Sequence, residues 1–246
     1  MDLLIFDEKK RYRNERMAAV ALDEQELAEM TGGRRIEAIL NGGLVQVVDH
    51  RIAEIIHEMA GFGEWLEDER EENVTNIYPI RNTLILSPIE TVFLSIDMQF
   101  LNLKRHGIAL LPQEIEDFMR KLSGNPGDFD RKRSIYRFLR RNGWIVRSGA
   151  TMGCDFLIYC LGADHFHSSA GVLCADEISP LRIQTLTRIL AHGKKALMVA
   201  TTSSEGEVKI VTMKTYYMER EIPKMSHRAN ELYELNAASC SSNKID

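Results

Sequence analysis

The stretch that decides the fold runs Ser134-Ile135-Tyr136-Arg137-Phe138-Leu139, Asn142-Gly143-Trp144-Ile145-Val146, Ser148-Gly149, Gly153, Asp155-Phe156-Leu157-Ile158-Tyr159 and then His167. Its first part has helical spacing: Ile135, Phe138 and Leu139 fall on one face, Asp130 is placed to cap the helix, and Asn142-Gly143 offers a left-handed stop. The apolar period then shortens. Residues 144–146, 156–159 and 170–173 are brief apolar runs separated by Gly149, Gly153 and Gly162, the pattern of strands joined by tight turns. A helix is expected from Pro180 through Leu190, ending near Gly193, and 196–200 and 208–213 flank Ser203-Ser204-Glu205-Gly206 as a hairpin. The order helix, three strands, helix, two strands predicts an α+β domain over 126–218, a mixed sheet with flanking helices.

Upstream, residues 1–125 read as a smaller α/β domain. An apolar start at Leu3-Leu4-Ile5-Phe6 precedes a charged helical stretch at 23–30 and a strand at 44–48. A helix carries Ile52, Ile55, Ile56 and Met59, and Gly61 stops it. The acidic run 64–72 reads as a solvated loop. Ser87-Pro88-Ile89-Glu90 combines a capping hydroxyl, a proline at the first helical position and a returning glutamate, ahead of apolar residues continuing to Phe100. Another helix is expected over 112–122, closed by Ser123-Gly124-Asn125-Pro126-Gly127, the candidate domain boundary. Residues 219–246 form a polar tail with little periodicity.

The chain of 246 residues carries a net charge of −5, which by itself disfavours a nucleic-acid binder, yet the charge is unevenly distributed. Residues 1–130 hold 25 acidic and 14 basic side chains, whereas residues 131–246 hold 11 and 17. The densest basic run, Arg131 to Arg147, contains no acid, and reads either as a solvated helix face or as a phosphate-contacting one, Arg137 and Arg141 included. No apolar run approaches the roughly 20 residues of a membrane helix, so no membrane partner is expected. The four cysteines form no C-x-x-C pair and read as reduced thiols of an intracellular protein. Cys154, Cys160, His165 and His167 lack closely paired zinc-ligand spacing, and no phosphate loop, nucleophile elbow or H-E-x-x-H is present, so neither metal nor cofactor is expected.

Three side chains of the basic half would together suffice to cleave RNA without a metal: Tyr159, His167 and Lys195. RNA brings its own nucleophile, the 2′-hydroxyl beside the scissile phosphate. The protein then needs a base for that proton, an acid for the leaving 5′-oxygen and a cation for the charge of the phosphorane. Histidine, with an ordinary pKa of about 6.5, suits the acid, and lysine suits the cation. A phenol is a weak base at neutral pH unless adjacent cations lower its pKa. Each residue also has a plainer reading: Tyr159 as strand-end packing, His167 as a surface histidine, Lys195 as a solvated lysine.

Taken with the quoted stretch, these residues resemble the catalytic domain of the tRNA-splicing endonuclease family, over about residues 80–218. The likeness lies in a helix ending at a Gly-aromatic step, a glycine-punctuated loop, a D-F-x-x-Y strand, a histidine, and an arginine seven residues before a lysine, here Arg188 and Lys195. The resemblance implies a Tyr159–His167–Lys195 triad acting as base, acid and electrostatic stabiliser, leaving a 2′,3′-cyclic phosphate and a 5′-hydroxyl. It also implies that Arg188, with Tyr216 or Tyr217, clamps a bulged intron base in a partner subunit's site. Its implied setting is the nucleus, in a four-subunit assembly on intron-containing pre-tRNA.

Gly43-Leu44-Val45-Gln46-Val47, the helix after it and Gly61-Phe62-Gly63 resemble the subunit that cuts the 5′ splice site. The 28-residue separation of His167 and Lys195 is closer to the subunit that cuts the 3′ site. A non-catalytic structural subunit would show a broken triad.

Overall fold

The computed structural model describes residues 23–67, 81–163, 166–203 and 205–213. The expected apolar start at 3–6, the aromatic pair Tyr216 and Tyr217 and the polar tail lie outside these residues.

Two helix-start signals in the first half act as their chemistry dictates. Asp23 caps α1 (Glu24–Thr31) in a capping box with Glu26, and Ser87 caps α3 (Pro88–Val92) in another with Glu90. The Ser87 helix continues as a π-helical turn, Phe93–Asp97, and ends there, so Phe100 lies beyond it. Between them, α2 (His50–Glu58) buries Ile52 and Ile56 under the sheet. That sheet has six strands: β1 (Ile36–Asn41), β2 (Leu44–Val47), β3 (Glu64–Glu67), β4 (Arg81–Leu86), β5 (Leu101–Arg105) and β6 (Ile108–Ala109), in spatial order β3-β4-β2-β1-β5-β6. β1 and β5 are parallel and the other pairs antiparallel. The start of the acidic run is therefore a strand, because Glu64 to Glu67 pair with β4 while Trp65 packs against the core.

α4 (Pro112–Leu122) is followed almost at once by α5 (Pro126–Arg141). Asn125, not Asp130, caps α5: its side chain accepts from the Asp128 N–H, and Pro126 occupies the first turn, where its missing N–H costs nothing. Asp130 is instead inside the helix and pairs with Arg120 of α4 at 3.0 Å.

The second sheet contains β7 (Ile145–Ser148), β8 (Phe156–Tyr159), β9 (Ala170–Cys174), β10 (Ala196–Thr202) and β11 (Val208–Met213), ordered β11-β10-β9-β8-β7. Only β9 and β10 are parallel, and α6 (Pro180–His192) is the crossover between them. Strand alternation divides the sheet's two faces. Phe156, Ile158, Ala170, Val172, Met198 and Ala200 join Ile135 and Leu139 of α5 in an apolar core continuous with the first sheet, whereas Leu173 and Leu197 pack beneath Leu186 and Leu190 of α6. The α+β class with a mixed sheet and flanking helices follows directly.

The basic run is engaged inside the protein. Arg131 pairs with Asp128 and Asp176 at 2.7 and 2.6 Å, Lys132 with Asp128 and Asp155 at 2.7 and 2.8 Å, and Arg133 with Glu116 at 2.9 Å. Burial works against the Lys132 ammonium, but its two carboxylate partners outweigh it and hold its pKa above the ordinary lysine value. Arg140 is buried, donates to the Ala60 carbonyl at 2.9 Å and lies 4.0 Å from the centre of the Phe62 ring. Two of these four acids, Glu116 and Asp128, belong to residues 1–130, so part of the charge split between the halves is neutralised within the fold.

Candidate active site

Sheet register gathers the three candidate residues at one end of the second sheet. Ile158, Ala170 and Ala196 lie side by side across β8, β9 and β10. One step beyond that row stand Tyr159, the last residue of β8, Ser169, and Lys195, immediately before β10. Backbone bonds fix the row: the Ser169 N–H donates to the Ile158 carbonyl at 2.8 Å, and the Ala196 N–H to the Ser169 carbonyl at 3.2 Å. His167 precedes Ser169 by two residues, exposed on the loop that leads into β9. Strand alternation sets Tyr159 and Lys195 on the Leu197 side of the sheet, the side covered by α6.

Lys195 and its neighbour are distinguished by geometry. The Lys195 ammonium reaches the Ser168 and Gly193 carbonyls, each at 3.5 Å, which holds it beside the histidine loop. Lys194 is exposed, in a left-handed backbone conformation with φ of 55°. Ser168 is buried and contributes through its carbonyl, a role that side-chain chemistry in the sequence does not reveal. Asp155 is a second such residue. One of its carboxylate oxygens accepts from the Cys174 N–H at 2.7 Å and the other pairs with Lys132, tying the start of β8 to the end of β9 and to α5.

The residues considered for RNA contact are dispersed. Arg188 is exposed on α6, two positions from buried Leu186 and thus about 200° around the helix from it, directed away from its own sheet. Arg137 donates to Asp97 at 3.3 Å while its side chain stays 41% exposed, and Arg141 is exposed at the end of α5. Among the described residues no three His, Cys, Asp or Glu side chains converge to hold a metal ion, and no helix is long and apolar enough to cross a membrane. Burial pushes the Cys154 and Cys174 thiols up, as expected of packing residues.

A phenol-bearing strand end, a histidine loop and a lysine thus lie at one end of the mixed sheet of an α+β domain. Residues 129–210 match the family model of the tRNA intron endonuclease, catalytic C-terminal domain. The chain is 26% identical over 175 residues to a tRNA-splicing endonuclease of Saccharolobus islandicus, covering 70% of this chain and 93% of that one. It is 27% identical over 182 residues to a tRNA-splicing endonuclease of Pyrobaculum islandicum, covering 72% and 96%. With the tRNA-splicing endonuclease subunit SEN2 of Eremothecium gossypii it shares 31% identity over 135 residues, 52% of this chain and 36% of the relative. Residues 129–210 thus correspond to a tRNA intron endonuclease catalytic domain, and tRNA-splicing endonucleases are among the chain's homologues.

Proposed function

We propose that this chain is a catalytic subunit of a tRNA-splicing endonuclease that cuts intron-containing pre-tRNA, with the 5′ splice site as its junction. The supporting observation is the convergence of Tyr159, His167 and Lys195 at one sheet end. In this reading Tyr159 takes the proton of the 2′-hydroxyl as that oxygen bonds to phosphorus. His167 gives a proton to the 5′-oxygen as its bond to phosphorus breaks, and the Lys195 ammonium stabilises the charge of the phosphorane between. The products are a 2′,3′-cyclic phosphate and a 5′-hydroxyl. The 5′ junction rests on the likeness of 43–47 and 61–63 to that subunit. The 28 residues between His167 and Lys195 favour the 3′ junction as the second reading. Mapping both cuts and their end groups with the purified assembly tests the proposal, and cuts bearing 3′-hydroxyl and 5′-phosphate ends contradict it. The setting in this reading is nuclear, within a heterotetramer.

Because the nucleophile is internal and a lysine faces the phosphorane, cleavage is expected to persist in excess chelator. Loss of cutting on chelation, restored by a divalent ion, defeats the triad mechanism. The outward aspect of Arg188 supports its use in the site of another subunit, where it stacks with Tyr216 or Tyr217 around an unpaired base. Arg188→Ala is then expected to slow mainly the partner's junction, by the roughly 1–3 kcal/mol of a lost base stack. His167→Ala slows the other one. Impairment of one and the same junction by both variants assigns Arg188 to its own subunit's site.

A further inference from the structure

We propose that the paired hairpin turns of the first sheet, residues 41–44 and 105–108, form a second RNA contact that holds a backbone phosphate of the pre-tRNA away from the scissile bond. The inference rests on the endonuclease reading for the identity of the RNA, and on the following geometry for the site itself. β1 and β5 are adjacent and parallel, with Ile39 opposite Lys104, so the turns that follow them leave the sheet side by side. Between them is a cavity of about 540 Å³, lined by both turns, by Lys104, Arg105 and His106, and by Phe118 of α4, with no acidic side chain in its wall.

The charge at this place is arranged, not incidental. Lys104 is paired with Glu37 at 2.8 Å, which leaves Arg105 and His106, both exposed, as the donors facing the cavity. The Arg105 guanidinium is 5.4 Å from the centre of the Phe118 ring, a contact that restrains the side chain while leaving its N–H edge available for a phosphate. His106 and Gly107 have φ of 51° and 81°, as do Gly42 and Gly43 with 57° and 92°, so both connections are tight turns with two left-handed residues. Asparagine or glycine is the residue favoured at the first such position. Histidine is less usual there but tolerates left-handed φ, and it adds an exposed imidazole next in sequence to Arg105. The larger cavity, near 640 Å³, lies among residues of both signs, Lys132 and Arg147 beside Glu64, Glu90 and Asp128, and selects no ligand charge.

The test uses the full chain in its assembly, with Arg105→Gln and His106→Asn combined, since asparagine keeps the turn and glutamine keeps the stem. Pre-tRNA binding, followed by anisotropy across a salt series, is expected to weaken about 3- to 10-fold near 0.1 M salt, with the slope of log K against log salt smaller by about one, while the single-turnover rate at saturating RNA is unchanged. Arg105→Lys keeps the charge without the planar fork and is expected to retain most of the affinity and all of the slope. Unchanged affinity and slope in a double variant that melts like the parent overturn the proposal and leave the endonuclease reading intact. Binding through these turns by an assembly that does not cut does the reverse. In a separate arm, the imidazole signals of His106 are followed during titration with a pre-tRNA and with inorganic phosphate. Movement with the RNA at micromolar concentration, and with phosphate only at millimolar concentration, supports an RNA contact. Saturation by phosphate with no response to RNA assigns the turns to a free anion and overturns it.

Discussion

Replacing His167 by alanine is expected to slow cleavage at one junction by roughly 100-fold or more, the usual scale for a positioned acid, with pre-tRNA binding nearly unchanged. The expectation follows from position. His167 is exposed at the mouth of the sheet end and lies outside the apolar core, so its removal leaves no cavity, and the backbone bonds of Ser169 and Ala196 that set the row remain. A pre-tRNA with a bridging 5′-sulfur at the scissile position gives a second readout. A thiolate leaves without protonation, so the His167→Ala defect is expected to shrink greatly on that substrate if the imidazole acts as the acid. A defect of equal size on both substrates assigns His167 a different role, and unchanged cutting of the ordinary substrate makes it structural.

The second half of the fold was legible because most of its strands are short apolar runs near glycine-containing turns and because Pro180 opens a helix. Asp130, by contrast, suggests too late a start for α5, since Asn125-Pro126 reads equally as part of a turn cluster. The first sheet was harder to see, although Ile36, Ala38 and Leu40 are buried in alternation with more exposed Glu37, Ile39 and Asn41. Leu101, Leu103 and their neighbours alternate likewise. What hid β5 was the apolar series running from Ile89 to Phe100 at near-helical spacing. The chain leaves the helix at Met98 and turns through Gln99, with φ of 52°, where no glycine or proline marks the break. The basic run of α5 was misleading for a different reason: Asp97, Glu116 and Asp176, which engage its arginines, are far away in sequence, and only folding reveals the pairing. The proposed triad draws on both kinds of information. Its residue types were visible, but the row that brings Tyr159 and Lys195 together depends on the parallel pairing of β9 with β10 across α6.

Gly149→Ala is expected to destabilise the protein by about 1–3 kcal/mol or more, the range for forcing an atom into packed surroundings. Gly149 has φ of −98°, so backbone conformation is not the obstacle. A Cβ at this position would stand 2.6 Å from the Cys154 sulfur, 2.8 Å from the Cys154 carbonyl oxygen and 2.9 Å from the Phe156 carbonyl carbon, and two of these three are backbone atoms that a rotamer change cannot move. The Gly149 N–H donates to the Asp155 carbonyl at 3.0 Å and its own carbonyl accepts from Met152 and Cys154, so displacing it shifts the loop that starts β8. That strand is only four residues long and ends in Tyr159, which makes a loss of cutting rate alongside the loss of stability the expected outcome. Thermal unfolding supplies the measurement, with a drop of about 2–12 °C at the usual 2–4 °C per kcal/mol for a chain of this size. Trimming the sulfur with Cys154→Ala relieves one contact of the three, so in a double-mutant cycle Gly149→Ala is expected to cost less in the Cys154→Ala background than in the parent. Gly143→Ala, where a Cβ meets open space and only φ of +83° opposes it, serves as the comparison and is expected to cost about 1 kcal/mol. Equal melting temperatures for Gly149→Ala and the parent protein refute the close approach of the two loop strands, and with it the argument that this glycine holds the tyrosine strand in place.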